Sequence, residues 1–451
     1  MATTELRLHG QVIAPQDPEY DEARKLYNAM FDKRPALIAR CADVDDVVAA
    51  VRFAGERGLA VAIRCGGHNG AGLGSVDGGL LIDVRGLNDV RVDADERIAH
   101  VGGGCLLNEV DAATHEHGLA TPAGIISTTG VGGLVPGGGI GNLSRTYGLS
   151  IDNIVGAQVV LADGSVVDAN ARENEDLYWA IRGGGGNFGV ITSLSLQLHP
   201  VRNIVGGPMF WPLEHLTGVL AWYREFLPKQ PRELNMFFLM QTVPPAPPFP
   251  DELQGKKICG VAVCWVGPPE DADGILAEAR AQPGLALDGV AEVPFPGLQS
   301  AFDPIYPAGD QWYWRADFVD EIPNEAIERH AEFGKQLPSW KSLMHLYPID
   351  GAVHDVGPTD TPWANRSTQY AQVICGVDPD PAKAGELKSW AVDYWEALHP
   401  YAAGGGYLNF MMDEGQERVQ ATYRQNYDRL VAVKRRYDPE NFFHVNQNIR
   451  P

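Results

Sequence analysis

The chain has 451 residues, enough for two or three domains, and 45% of them are hydrophobic, so it can bury a sizeable core. The formal net charge of −22 argues against sequence-independent binding of nucleic acid, because phosphate contacts require clustered Lys and Arg. The N-terminus shows no basic segment followed by an apolar one, no apolar run would span a bilayer, and the six cysteines form no CxxC pair. We therefore predict a cytoplasmic protein with no membrane or nucleic-acid partner and no metal site.

From Ala36 to His199, short apolar runs alternate with turns. Residues 36–41 and 59–65 have the pattern of strands, and residues 44–58 that of an amphipathic helix closed by a glycine. This order is typical of a strand–helix–strand unit, and its second strand runs directly into glycines. Further strands are predicted at 80–84, 90–93, 97–104 and 188–200, a hairpin at 155–169, and helices at 106–118 and 173–184.

The composition changes after Pro200, with fewer glycines and more aromatic residues. Strands that alternate like antiparallel ones are predicted at 256–267, 311–319 and 367–377, and helices at 213–227, 271–281, 324–337 and 381–398. This pattern predicts a second domain in which helices cover a sheet. The final segment, 417–451, is predicted as one helix followed by a turn and a tail.

Two glycine-rich loops stand out, Arg64–Gly70 and Thr128–Gly141. Glycine lets a ligand approach the main chain closely, and successive backbone N–H groups can form a concave anion site suited to a pyrophosphate. Two such loops on one α/β scaffold favour a dinucleotide site over a mere set of turns. A third run, Gly184–Gly189, matches GxGxxG, but a helix precedes it and a strand follows, the reverse of the NAD-binding arrangement.

The two loops, together with the segments at 17–28, 143–153, 407–410 and 441–449, resemble the berberine-bridge-enzyme-like oxidases of the wider vanillyl-alcohol-oxidase type. The resemblance implies an α+β fold. A two-subdomain PCMH-type FAD-binding domain is expected in residues 1–201, and a substrate domain with an antiparallel sheet covered by helices in 202–410. Residues 411–451 are expected to return to the FAD domain.

The resemblance also implies that the 8α-methyl carbon of FAD is linked to His68, in the motif R-x-G-G-H. The alternative is that His68 is an ordinary polar residue holding a turn. Relatives with a second link carry a Cys where this chain has Ile126, so attachment through His68 only is predicted. Thr129 stands where relatives have a residue thought to gate oxygen, and a small aliphatic residue is expected there. The other predicted cofactor contacts are Gly66, Gly67, Asn69, Gly70, Thr128, Thr129, Gly130, Gly132, Gly133, Gly138, Gly139, Asn142, Gly189, Val190 and Asn446.

Four side chains are candidates for the catalytic chemistry. Tyr407 matches the first Tyr of the family's Y-x-N-Y run and is the candidate base, although it could equally pack a sheet, and Phe410 replaces the second Tyr. His345 and Tyr347, two apart in one strand, are expected to share a face. Gln372 is expected on the corresponding face of another strand, next to Ile374, which we align with the base of berberine bridge enzyme. Ordinary sheet packing is the alternative for His345, Tyr347 and Gln372.

The predicted function is oxidation of a small molecule, namely an alcohol, a carbohydrate or a secondary metabolite, by hydride transfer to FAD and then to O2. Two alternatives remain open at this point. One is a dehydrogenase with the same fold and a different electron acceptor, and the other is a non-catalytic flavin-binding protein.

Overall fold

A small mixed sheet begins the chain in a computed structural model that describes residues 5–451. Its elements are β1 (Gln11–Ile13), α1 (Tyr20–Ala23), β2 (Leu37–Arg40), α2 (Val44–Arg57), β3 (Val61–Arg64) and β4 (Leu80–Asp83). The strand order is β1-β2-β4-β3, and β2 and β3 both run parallel to β4. Asp43 caps α2 by accepting from the N–H of Asp46, and Gly58 closes it at φ 62°. The predicted strand–helix–strand unit is confirmed. Residues 1–4 lie outside the described residues. The predicted 1–201 domain and the N-terminal segment examined for a signal peptide both begin there.

A second, antiparallel sheet follows. Its segment comprises β5 (Val90–Asp93), β6 (Ile98–Gly102), α3 (Leu107–His115), β7 (Leu119–Ala120), α4 (Val131–Leu134), α5 (Ser144–Tyr147), β8 (Ile154–Val160), β9 (Val166–Asn170), α6 (Glu175–Ile181), β10 (Val190–Gln197) and β11 (His199–Pro200). The sheet order is β5-β6-β10-β8-β9. The predicted hairpin is confirmed as β8 and β9, with Gly164 at φ 76° in its turn.

A large antiparallel sheet forms the next layer. Its segment comprises β12 (Asn203–Pro212), α7 (Leu216–Phe226), β13 (Leu234–Thr242), β14 (Lys257–Trp265), α8 (Ala272–Arg280), β15 (Leu287–Asp288), β16 (Ala291–Pro294), α9 (Phe295–Gln299), β17 (Gln311–Val319), α10 (Asn324–Lys335), β18 (Leu343–Pro348), β19 (Tyr370–Asp378) and α11 (Ala384–Leu398). The order is β15-β12-β14-β13-β18-β19-β17, with β16 beside β12. Side chains of α7, α8, α10 and α11 share one buried cluster with one face of the sheet, which confirms the predicted helix-covered sheet. The other face packs with residues of the first 200.

The C-terminal segment forms two helices, α12 (Gln416–Tyr423) and α13 (Tyr427–Tyr437), where the sequence predicts one. The chain breaks at Arg424, whose φ is 49°. Just beyond it, the Asn426 amide donates to the carbonyls of residues 358, 361 and 362, which fixes the turn. Both α13 and the tail beyond it contact the loop before β10, because Lys434 Nζ donates to the Asn187 carbonyl at 2.6 Å and the Ile449 N–H donates to Asn187 Oδ1 at 2.9 Å. Across residues 5–451, no helix has both the length and the apolar character to cross a membrane.

Candidate active site

A cavity of about 1950 Å³, counting its open mouth, lies between the glycine-rich loops and the face of the large sheet opposite its helices. The first loop follows β3, and the second contains the short helix α4, so regular elements position both loops. The sheet side is contributed by β17, β18 and β19 and by the turn after α9. The C-terminal tail also lines the cavity, through Phe443, Val445, Asn446 and Gln447.

The two glycine-rich loops touch each other through their backbones. A side chain at Gly66 would overlap the backbone of Gly130, and one at Gly130 would overlap both Gly66 and Cys65. The Cys65 thiol donates to the Cys105 carbonyl at 3.3 Å, beside this contact. The glycines are therefore required for the close approach that forms this wall of the cavity.

Gly130→Ala is accordingly expected to push the loops apart, lower the free energy of unfolding by about 1–3 kcal/mol and reduce the content of bound FAD. Gly218→Ala is the matched control, because Gly218 is an exposed glycine of α7 with open space where a methyl group would stand. It is expected to raise stability by up to about 1 kcal/mol and leave FAD content unchanged. Thermal unfolding and the ratio of FAD to protein measure both. Equal FAD content in the two variants would contradict the proposed role of the loop contact.

His68 lies in the cavity wall between an aromatic ring and two hydroxyl groups. The Tyr27 ring stacks on the imidazole with centroids 3.8 Å apart and planes 18° from parallel. Thr128 Oγ1 is 3.1 Å from Nε2 of His68, and Thr129 Oγ1 is 3.4 Å from Nδ1. Burial lowers the pKa of His68 to about 3, against a smaller opposing effect of the Thr128 backbone. The imidazole is therefore neutral near pH 7 and keeps a lone pair on one ring nitrogen.

Tyr27 was not singled out by the sequence, and its position gives it a specific role. Its hydroxyl donates to the Tyr306 carbonyl at 2.6 Å, which fixes the ring against His68. Tyr27→Leu is expected to lower the rate of covalent flavin attachment about threefold to tenfold, because the flat stacking partner is lost. Tyr27→Phe keeps the ring and is expected to stay within about twofold of the parent. The visible absorbance of acid-precipitated protein, sampled over time after expression, measures this, and equal rates for both variants would contradict it.

Tyr407 is buried, with 1% of its surface exposed, at the start of a 3₁₀ turn rather than within a strand. Its oxygen accepts from the N–H of Gly139 at 2.8 Å and from Asn409 Nδ2 at 2.7 Å. Gly138, at φ 137°, leaves room for the ring, since a side chain there would overlap it. Burial raises the pKa of Tyr407 to about 12, and the donors from Asn409, Gly139 and Ile140 oppose that rise. With both acceptor positions filled, the hydroxyl hydrogen is left for a ligand in the cavity.

His345 and Tyr347 share the cavity face of β18, as the sequence predicts, and His345 Nδ1 is 2.9 Å from the Tyr347 hydroxyl. Burial lowers the pKa of His345 to about 3 and raises the pKa of Tyr347 well above its usual value. Both groups are therefore neutral near pH 7. Nε2 of His345 has no hydrogen-bond partner within residues 5–451.

The prediction for Gln372 is wrong, because its side chain lies on the opposite face of the sheet. It lines a small pocket under the helices, with Asp317 and His330, and Ile374 belongs to the helix-side cluster too. In the observed register, Val373 and Cys375 lie on the cavity face instead. The sequence comparison aligned Ile374 with the base of berberine bridge enzyme. A shift of one residue moves a side chain to the other face of a strand, so Ile374 does not take the place of that base.

Several aromatic residues of the cavity wall were missed. Trp312 and Trp314 project from β17, and Phe302 and Tyr306 from the turn after α9. The predicted strand at 311–319 contains both tryptophans, but its alternation could not indicate which of its faces meets the cavity.

Comparison with known proteins identifies the scaffold. A family model described as an FAD binding domain matches residues 35–170, and one described as berberine and berberine like matches residues 406–450. The chain is an FAD-linked oxidoreductase that resembles the berberine-bridge-enzyme-like proteins in both of these parts. It is 29% identical to an FAD-linked oxidoreductase of Dictyostelium discoideum, covering 98% of this chain and 95% of that one. It is also 29% identical to (R)-6-hydroxynicotine oxidase of Paenarthrobacter nicotinovorans, covering 99% and 98%.

The fold agrees with this resemblance. The structure of 6-hydroxy-D-nicotine oxidase from Arthrobacter nicotinovorans superimposes with a TM-score of 0.89, at 27% identity and full coverage of both chains. The predicted resemblance to this family and the predicted α+β fold, with its PCMH-type FAD-binding portion, are both confirmed.

The cavity suits FAD in its shape and in its polar groups. Side chains at Gly133 and Gly186 would point into open space, so both glycines leave room for a ligand along the main chain. Asn446 donates to the carbonyls of Gly186 and Phe443, and its buried Oδ1 lacks a hydrogen-bond partner among the described residues. Such an orphaned acceptor at a cavity wall is the kind of group that a bound cofactor satisfies.

The predicted cofactor contacts divide into two groups. Those that line the cavity are Gly66, Gly67, His68, Asn69, Thr129, Gly130, Gly132, Gly133, Gly189 and Asn446. Those outside its lining are Gly70, Thr128, Gly138, Gly139, Asn142 and Val190. The Asn142 side-chain amide has a structural partner, because it donates to Gln299 Oε1 at 2.7 Å. The N–H of Gly139 donates to the Tyr407 hydroxyl. The run at 184–189 is not an NAD-binding motif, because α6 precedes it and β10 follows, but Gly185, Gly186, Asn187 and Gly189 line the cavity.

Proposed function

We propose that this FAD-linked oxidoreductase is an oxidase whose flavin is attached through His68 only. The substrate carbon that bears a hydroxyl or amine loses a hydride, and the attached oxygen or nitrogen loses a proton, leaving a C=O or C=N bond. When bound, FAD accepts the hydride and passes two electrons to O2, which with two protons becomes hydrogen peroxide. The observation that carries this proposal is the placement of a neutral His68 and a hydrogen-bonded Tyr407 on the walls of one cavity.

Single attachment is supported by the groups beside the second loop. Ile126 lines the cavity at the position where relatives with two links have a Cys, and an isoleucine cannot form a thioether. Cys65 and Cys375 do line the cavity, but burial raises the pKa of each thiol, so neither is a thiolate near pH 7.

Tyr407 is the proposed proton acceptor. The donors from Gly139 and Asn409 would stabilise a phenolate at this oxygen, which is the form that accepts the substrate proton. His345 and Tyr347 are proposed to orient the substrate by hydrogen bonds, since Nε2 of His345 is buried and unpartnered among residues 5–451.

The acceptor is tested by reducing the protein anaerobically and then mixing it with air-saturated buffer. An oxidase is expected to regain oxidised flavin within seconds and to release about one hydrogen peroxide per flavin. Flavin that stays reduced for minutes would instead support a dehydrogenase, the alternative favoured by the polar side chain of Thr129 beside His68.

A further inference from the structure

Aromatic rings line the sheet side of the cavity and meet one another at steep angles. Trp312 and Trp314 meet edge to face, with centroids 5.8 Å apart and planes at 87°. Trp314 meets Phe410 at 6.2 Å and 88°, and Tyr306 meets Trp312 at 5.3 Å and 61°. Rings held at right angles to one another present both faces and edges, which is the arrangement that packs a flat aromatic ligand.

The same cavity offers no charge to a ligand. Among lining residues in the described part of the chain, Arg64 is the only one with a permanent charge, and its guanidinium is 2.7 Å from the Asp83 carboxylate. The ring of His345 is neutral because burial lowers its pKa to about 3. A carboxylate or ammonium group that binds in this cavity would lose its hydration without gaining an oppositely charged partner.

The wall also has few free polar atoms. On the sheet side, three buried polar atoms lack a hydrogen-bond partner within residues 5–451, namely Nε1 of Trp312, Nε1 of Trp314 and Nε2 of His345. These atoms can satisfy one or two polar groups of a ligand. A carbohydrate brings many hydroxyl groups, and most of them would remain unpaired against the rings.

Resting on the oxidase function above, we propose that the substrate is an uncharged, flat aromatic alcohol or unprotonated aromatic amine with one or two polar groups. Carbohydrates and aromatic acids are excluded as good substrates. The reacting hydroxyl or amine lies within reach of His345 and Tyr407. The aromatic ring of the substrate packs against Trp314 and the rings that meet it, Trp312 and Phe410.

The test measures binding apart from turnover. Equilibrium dialysis under nitrogen against dithionite-reduced holoenzyme gives Kd for 2-naphthalenemethanol, mandelate and cellobiose, which are a neutral aromatic alcohol, an aromatic anion and a neutral carbohydrate. The naphthalene alcohol is expected to bind at least about 100-fold more tightly than either of the others. Trp314→Leu is expected to weaken its binding about fivefold to tenfold, and Trp314→Phe less than threefold. Trp340→Leu, at an exposed tryptophan, is the control and should change nothing.

Cellobiose or mandelate binding as tightly as the naphthalene alcohol would overturn the inference, as would an absence of binding by all three. Anaerobic bleaching of the oxidised flavin by the same compounds is followed in parallel. If cellobiose bleaches the flavin fastest, the oxidoreductase function stands and the aromatic class is wrong. If the naphthalene alcohol binds selectively and none of the three bleaches the flavin, the ligand class stands and the proposed oxidation fails.

Discussion

His68→Ala is expected to abolish covalent flavin completely, so that acid-precipitated protein loses its yellow colour, while the native protein still binds FAD. The side chain contacts the Tyr27 ring and the hydroxyls of Thr128 and Thr129, whereas the loop contact between Gly66 and Gly130 is made by backbone. Removing the imidazole therefore leaves the glycine-rich wall in place, and the free energy of unfolding should change by no more than about 1–3 kcal/mol. The visible spectrum before and after precipitation separates bound from attached flavin.

Cys65→Ser and Cys375→Ser are the controls for this experiment, since both thiols line the cavity. Each variant is expected to give a yellow pellet like the parent. A yellow pellet from His68→Ala, or a colourless one from either serine variant, would show that another residue carries the flavin.

Tyr407→Phe is expected to slow anaerobic reduction of the flavin by substrate about 10²-fold to 10⁴-fold, the usual range for loss of a positioned general base. The ring and its packing against Trp363 and Phe410 remain, so thermal stability and FAD content should be close to those of the parent. Tyr423→Phe is the matched control, because it removes the hydroxyl of another buried tyrosine, one that lies outside the cavity lining. Equal losses in the two variants would assign the effect to stability rather than to proton transfer.

The pH profile gives an independent check on Tyr407. Its pKa of about 12 means that the phenolate fraction rises about tenfold for each pH unit from 6 to 10, and the reduction rate should rise with it. This slope should vanish in Tyr407→Phe. A rate that is flat over that range in the parent would indicate a group already deprotonated, such as His345, whose pKa is about 3.

Much of the scaffold could be predicted because its signals are local. The alternation of β2, α2 and β3, the hairpin at Gly164 and the glycine-rich loops all depend on neighbours within a few residues. The motif R-x-G-G-H and the position of Ile126 are local as well. For the same reason, His345 and Tyr347 could be placed on one face of one strand.

The parts that failed depend on pairing between distant segments. Gln372 was assigned to the wrong face because the register between β18 and β19 is fixed by the whole sheet and not by either strand alone. Tyr27 reaches His68 only because the chain before β2 folds over the first loop, and nothing near Tyr27 in the sequence indicates a ring contact. Asn142 lies directly beyond the second loop, yet Gln299, more than 150 positions away, takes its amide.

Peptide mapping of the parent protein tests the central claim most directly. The acid-precipitated protein is digested, and the flavin-bearing peptide is isolated by its visible absorbance and sequenced by mass spectrometry. We predict a single flavin peptide, modified at His68, with all six cysteines unmodified. A flavin on any cysteine peptide, or a colourless digest from protein that had bound FAD, would contradict attachment through His68 alone.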